Sequence, residues 1–220
     1  MSISDNLSGL KHEIPADVKL IAVTKTQPSE IILEVYHSGH KIFGENKVQE
    51  LTGKYQQLPK DIEWHLIGHL QSNKVKHIAP FISLIHSVDS FKLLVEINGQ
   101  ALKNNRLINC LLQIHIAQEE TKFGLSFEEA ELLLNSGELK LLNNVRIAGL
   151  MGMATLTEDK EQIRNEFKSL HHFFIKLQVS NSKFEILSMG MSSDYKIAIE
   201  EGSNLIRVGS AIFGERNYTR

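Results

Sequence analysis

"NLIRVGSAIFGER" (204–216) reads as the last of eight buried strands, and the number eight decides the fold. Leu205, Ile206 and Val208 are strand residues, yet Arg207 stands among them, and Gly209 and Ser210 follow where the chain leaves a sheet. Working back towards the N-terminus, short apolar and β-branched runs recur at 184–190, 145–153, 109–116, 84–89, 64–68, 41–45 and 19–25, with 205–213 closing the series. Between them lie stretches of helical period. "PSEIILEVYHSGH" has Pro28 for its first turn and stops near Gly39, and "SDYKIAIEEGS" stops at Gly202. Alternation of strand and helix argues for a parallel sheet with helices outside. Eight such units closing on themselves form a (β/α)8 TIM barrel, for which about 200 residues is the lower end of the usual size. An open, doubly wound sheet is the competing architecture. No linker, low-complexity tract or charge block interrupts the series, so 1–220 is expected to be a single domain.

Composition narrows the function classes. Lys+Arg number 24 against 26 Asp+Glu, so no global positive field draws the chain to nucleic acid. The lone Cys110 sits mid-strand in "INCLLQIHI", as a core residue without an internal disulfide partner, which fits a reducing compartment. No apolar run has membrane-spanning length, and the polar N-terminus "MSISDNLSGLKHEI" lacks the character of a signal peptide. The expectation is a soluble, cytoplasmic protein. His65 and His69 fall across a strand end and a loop rather than on one helical face, so no metal site is expected.

A barrel gathers function where strands end and loops begin. Those ends are Lys25, Asn46, "GHLQSNK", Ser87 and Asp89, "EETKFG", Met151 and Met153, "SMGMSSD", and residues 207–210. Period-2 alternation puts Ile21, Val23 and Lys25 on one face, aimed into the barrel. A lysine amine among apolar walls is a nucleophile towards aldehydes, whereas a strand-end lysine ordinarily just reaches water. Asn46 is either an N-cap of the helix that follows or a side-chain amide touching the same ligand as Lys25. Ser192 and Ser193 enter a helix after Gly190, and the Gly209–Ser210 amides can complete an anion site. Phosphate sites built from the loops after strands 7 and 8 recur in such barrels. Arg207 alternates with Leu205 and Gly209 and so faces inward, where it needs an acceptor. A carboxylate such as Glu45 or Asp89 is one option, and the ring nitrogen of a heteroaromatic ligand is the other. Met151, Met153, Met189 and Met191 either wall such a ring or fill the core.

"AVTKTQP", "FGENKVQE", "WHLIGHLQSNK", "LSMGMSSD" and "IRVGSAIFGER" occur in that order, and together they resemble the pyridoxal phosphate homeostasis protein family. The resemblance implies a fold-type III barrel similar to the N-terminal domain of alanine racemase, with pyridoxal 5'-phosphate as cofactor. By motif, Lys25 is similar to the Schiff-base lysine. Ser192, with Gly209 and Ser210, is similar to the phosphate cradle, Ser193 being the alternative to Ser192. Arg207 corresponds to the arginine facing the pyridine nitrogen, and Asn46 belongs to the "FGEN" motif beside the cofactor. The implied role is storage, buffering or delivery of cofactor to apo-enzymes by a monomer, with no residue assigned to catalysis. The rival is an amino-acid racemase or lyase. Racemisation wants a second acid/base group opposite the lysine, which alanine racemase takes from a C-terminal β-domain across a dimer. This sequence ends at Arg220, directly after its eighth unit, and a carrier is therefore expected.

Overall fold

Strand β1 (Lys19–Val23) pairs in parallel with both β2 (Ile42–Glu45) and β8 (Leu205–Val208), and the second pairing closes the sheet. Around the ring follow β3 (Glu63–Leu66), β4 (Leu84–Val88), β5 (Ile108–Ile114), β6 (Val145–Gly152) and β7 (Ile186–Ser188), all parallel and in sequence order. The chain is therefore a (β/α)8 TIM barrel, and the open sheet is excluded. This computed structural model describes residues 2–119, 123–180 and 183–214. Parts of two sequence motifs, residues 120–122 of the "EETKFG" loop and 215–216 of the C-terminal motif, lie outside the described residues.

The outer layer comprises α2 (Ser29–His37), α3 (Val48–Gln57), α4 (Val75–Ile78), α5 (Phe91–Lys103), α6 (Phe127–Asn135), α7 (Lys160–Ser180) and α8 (Tyr195–Glu200). Helix α1 (Ile3–Glu13) precedes the barrel and the short α9 (Ser210–Phe213) follows β8. Alternation along each strand divides the buried residues into two sets. Ala22, Phe43, Trp64, Ile85, Cys110, Leu150, Leu187 and Ile206 face the helices and form the main core. Ile21, Val23, Leu84, Leu111, Met151 and Leu205 fill the barrel interior.

Element ends differ from the sequence reading at informative places. The expected 205–213 strand is two elements: Gly209 leaves the extended region (φ −122°, ψ −75°), and the chain turns helical at Ser210. Strand β1 stops at Val23, because Thr26 takes a left-handed conformation (φ 68°) that turns the chain. Helix α1 occupies the polar N-terminus, where no helix is expected from the sequence. A reciprocal capping box of Ser2 and Asp5 starts it, and it buries only Leu7 and Leu10.

Candidate active site

A cavity of about 570 Å³ opens at the C-terminal mouth of the barrel, and Lys25, Asn46, Ser192, Arg207, Gly209 and Ser210 all line it. Its volume falls in the range of about 300–1,000 Å³ usual for small-ligand sites. Val23, Ile67, Met153 and Met191 provide apolar wall. The methionines thus divide: Met153 and Met191 reach the cavity, while Met151 and Met189 are fully buried in the core. A larger cleft of about 860 Å³ lies at the opposite end, against α6, α7 and the start of β6. That end of a barrel serves stability.

The turn carrying Lys25 is fastened on both sides of the lysine. Lys54, on α3, is buried and donates from Nζ to the Thr24 carbonyl (2.8 Å), Glu45 Oε1 (2.7 Å) and Glu50 Oε1 (2.7 Å). Thr24 Oγ1 donates to Glu45 Oε1 (2.5 Å), and the Thr26 amide donates to Glu50 Oε1 (2.5 Å). Burial pushes the Glu45 carboxyl up, and Lys54 opposes that shift. Lys25 itself is half-buried at the cavity wall.

Asn46 is not the helix cap. Lys47 occupies that position of α3, and its side chain makes no cap hydrogen bond. Instead Asn46 Oδ1 is buried without a hydrogen-bond partner among the described residues, on a residue that lines the cavity. Gly68, at the end of β3, permits this: a Cβ there would lie 2.4 Å from the Asn46 carbonyl oxygen.

The turn after β7 also needs its glycine. Gly190 has φ +95°, and an added Cβ would meet Ala198 Cβ at 2.6 Å. Asp194 Oδ1 accepts from the Met191 amide (2.5 Å), which sets the path of the next residues. Ser192 Oγ accepts from the Gly209 amide (3.1 Å), tying the β7 and β8 turns together. The Gly209 amide is thereby occupied, while the Ser192 hydroxyl hydrogen meets no acceptor among the described residues. The amides of Ser192, Ser193, Ser210 and Ala211 meet no protein acceptor among the described residues. Such convergent amides suit an anion.

Arg207 is almost fully buried, and its acceptors are not carboxylates. Nη1 donates to the Ser188 carbonyl (2.9 Å) and to Ser188 Oγ (2.7 Å), and Nη2 donates to the Gly152 carbonyl (3.0 Å). Glu45 is engaged by Lys54, and Asp89 lies against His69 Nδ1 (3.3 Å). Burial lowers the guanidinium to about 10, so it stays charged at neutral pH. Five N–H groups less these three hydrogen bonds leave two without an acceptor among the described residues, on a side chain that lines the cavity. Sequence reasoning did not single out Ser188 or His86, both buried inside the barrel beside Arg207, and it gave His65 no part there. Parity was the available signal, since Ile186, Ser188 and Gly190 alternate as Leu205, Arg207 and Gly209 do.

The family description "Alanine racemase, N-terminal domain" matches residues 1–217. A "Pyridoxal phosphate homeostasis protein" of Aquifex aeolicus is 43% identical over 203 residues, 91% of this chain and 88% of the relative. One from Haemophilus influenzae is 36% identical over 234 residues, covering 100% of this chain and 98% of its own length. The chain belongs to the pyridoxal phosphate homeostasis protein family. Among solved structures, PipY of Synechococcus elongatus with PLP bound superposes with a TM-score of 0.87 at 36% identity, over 97% of this chain and 100% of that one. Alanine racemase of Clostridium difficile shares the fold alone, with a TM-score of 0.79 at 16% identity over 99% of this chain and 57% of the racemase.

Proposed function

We propose that this family member binds pyridoxal 5'-phosphate in the barrel-mouth cavity and holds it for intracellular cofactor homeostasis. One observation carries the reading: a single cavity lined by a lysine on a fastened turn, a buried arginine hydrogen-bonded to Ser188 and Gly152, and two turns with open amides. The residues fit the group. Bound pyridoxal phosphate supplies an electrophilic aldehyde and an electron-withdrawing ring. Lys25 would hold the cofactor covalently, its Nζ joined to the aldehyde carbon with the release of one water. The turns at Ser192 and Ser210 take the phosphate, with Ser192 favoured over Ser193 because it is the serine tied to Gly209. Asn46 offers its open amide oxygen to the ligand at the same wall. Arg207 donates to the pyridine nitrogen. Because a guanidinium only donates, it leaves that nitrogen without a proton and the ring a weaker electron sink than a carboxylate would. That chemistry suits holding the cofactor more than turning over amino acids.

In this proposal residues 1–220 act as one domain, as a cytoplasmic monomer, handing cofactor to apo-enzymes. The test is borohydride reduction of cofactor-loaded protein followed by peptide mass spectrometry. The pyridoxyl group is expected on Lys25, and its appearance on Lys47 or Lys74 instead would overturn the site.

A further inference from the structure

Barrel interiors are ordinarily packed with branched aliphatic side chains, yet a line of polar groups crosses this one. His65 Nδ1 lies 3.1 Å from His86 Nε2, His86 Nδ1 lies 3.1 Å from Ser188 Oγ, and Ser188 Oγ accepts from Arg207 Nη1 at 2.7 Å. All of these side chains are buried. His65 also lines a cavity of about 330 Å³ at the N-terminal end of the barrel, while Arg207 lines the cavity at the mouth. The line therefore runs from one end of the barrel to the other.

Its direction follows from the donor inventory. Arginine has no acceptor, so Ser188 Oγ must accept from Arg207. The hydroxyl hydrogen then goes to His86 Nδ1, the other polar partner within reach of Oγ. A neutral His86 with a bare Nδ1 carries its hydrogen on Nε2 and donates it to His65 Nδ1. Among the described residues, only this one-way order satisfies every group of the line, and buried polar groups left unsatisfied are costly. Burial keeps both imidazoles neutral, as the order requires.

We propose that His86 and His65, acting through Ser188, are positioning residues that hold Arg207 as hydrogen-bond donor to the ring nitrogen of the bound cofactor. The inference rests on the pyridoxal phosphate reading. Ser188 offers Arg207 two acceptors, its carbonyl and its hydroxyl, and the hydroxyl serves best with its own hydrogen fixed away from the guanidinium. His86 takes it, and His65 keeps His86 in the required tautomer. Neither histidine lines the cavity at the barrel mouth. Their effect reaches the ligand only through the guanidinium.

The test loads wild-type, His86→Leu, His86→Gln and Ser188→Ala proteins with pyridoxal phosphate labelled with ¹⁵N in the ring, and reads the ring-nitrogen shift by NMR. Wild type is expected to show an unprotonated nitrogen accepting a hydrogen bond. His86→Leu and Ser188→Ala should move the shift towards that of the free ring and weaken cofactor binding by about tenfold, one lost hydrogen bond. Borohydride labelling of Lys25 should persist in both. His86→Gln, whose amide can both accept and donate, should restore much of the wild-type shift. Should His86→Leu fail to fold, Ser188→Ala carries the same expectation. A ring-nitrogen shift unchanged in every folded variant, with Lys25 labelled, would overturn the relay and leave the site reading standing. Absence of label and of a bound-ligand signal in wild type would overturn both.

Discussion

Lowering the pH from 7.5 to 5 should cost this protein much of its stability, because it folds with buried neutral histidines. His40 is held down to about 4 by burial and by nearby Lys11, His65 to about 3 by burial and Lys19, and His86 falls well below the usual 6.5, again chiefly by burial. In the unfolded chain each titrates near 6.5. The unfolded state therefore binds more protons between pH 6.5 and 4, and stability is present above 6.5 and lost as pH falls through that window. Integrating one proton from pH 7.5 to 5 gives about 2 kcal/mol per histidine, or about 6 kcal/mol for all three. Domains of ordinary stability have about 5–15 kcal/mol in total. Glu45 works the other way, since burial raises its carboxyl, but it is one group against three. Urea unfolding followed by fluorescence at pH 7.5, 6.5, 5.8 and 5 measures the slope, using the linear extrapolation. Between pH 5.8 and 5 the slope should approach three protons, and His40→Gln should lower it by about one. A wild-type slope below one proton in that interval would refute the reasoning.

Replacing Ser192 by Ala should weaken pyridoxal phosphate by about 1.5–3 kcal/mol while leaving unphosphorylated pyridoxal nearly unaffected, the range for a hydrogen bond to a charged group; equal losses in parallel titrations would count against the phosphate turn. Lys54→Met leaves the buried Glu45 carboxylate without its cation, so a destabilisation of about 3–5 kcal/mol is expected in urea unfolding. The same variant should slow labelling of Lys25, whose turn Lys54 fastens; unaltered stability and labelling would show the cluster to be idle. Cofactor-loaded protein incubated with L-alanine or L-serine should racemise neither at the rate of a dedicated enzyme, because general acid–base help typically supplies about 10²–10⁴-fold. Robust turnover abolished by Lys25→Ala would revive the racemase reading.

The barrel was legible because its signal is repeated. Each apolar run separated by a helical stretch adds a unit, and an error of one or two residues at an end leaves the count intact. Inward parity was legible for Lys25 and Arg207, and both line the mouth cavity together with Asn46. What the sequence concealed depends on pairs of residues distant along the chain. Nothing near Arg207 says that its acceptors come from Ser188 and Gly152 rather than from Glu45 or Asp89. Asn46 as cap and Asn46 as ligand contact have the same local pattern, and only the position of Lys47 at the start of α3 separates them. The Lys54 cluster was hidden for another reason: "NKVQELTGKYQQL" reads as an exposed amphipathic helix, and a lysine within it is ordinarily solvated.

The polar line through the barrel and the cluster beneath the Lys25 turn have a common logic. Both place buried polar groups where aliphatic packing would stabilise the fold more simply, since replacing a buried ion pair by well-packed apolar residues is often neutral or stabilising. Both also end on a residue of the cavity, one at Arg207 and the other at the backbone on either side of Lys25. A fold needing only stability has no reason to bury two imidazoles, a guanidinium and a lysine–glutamate pair within eight short strands and their first helices. A site that must hold an amine and a hydrogen-bond donor at fixed separation does, because these groups lock rotamers that apolar neighbours leave free. The rigidity expected of a cofactor holder is thus built behind the cavity wall, on side chains that do not line the cavity.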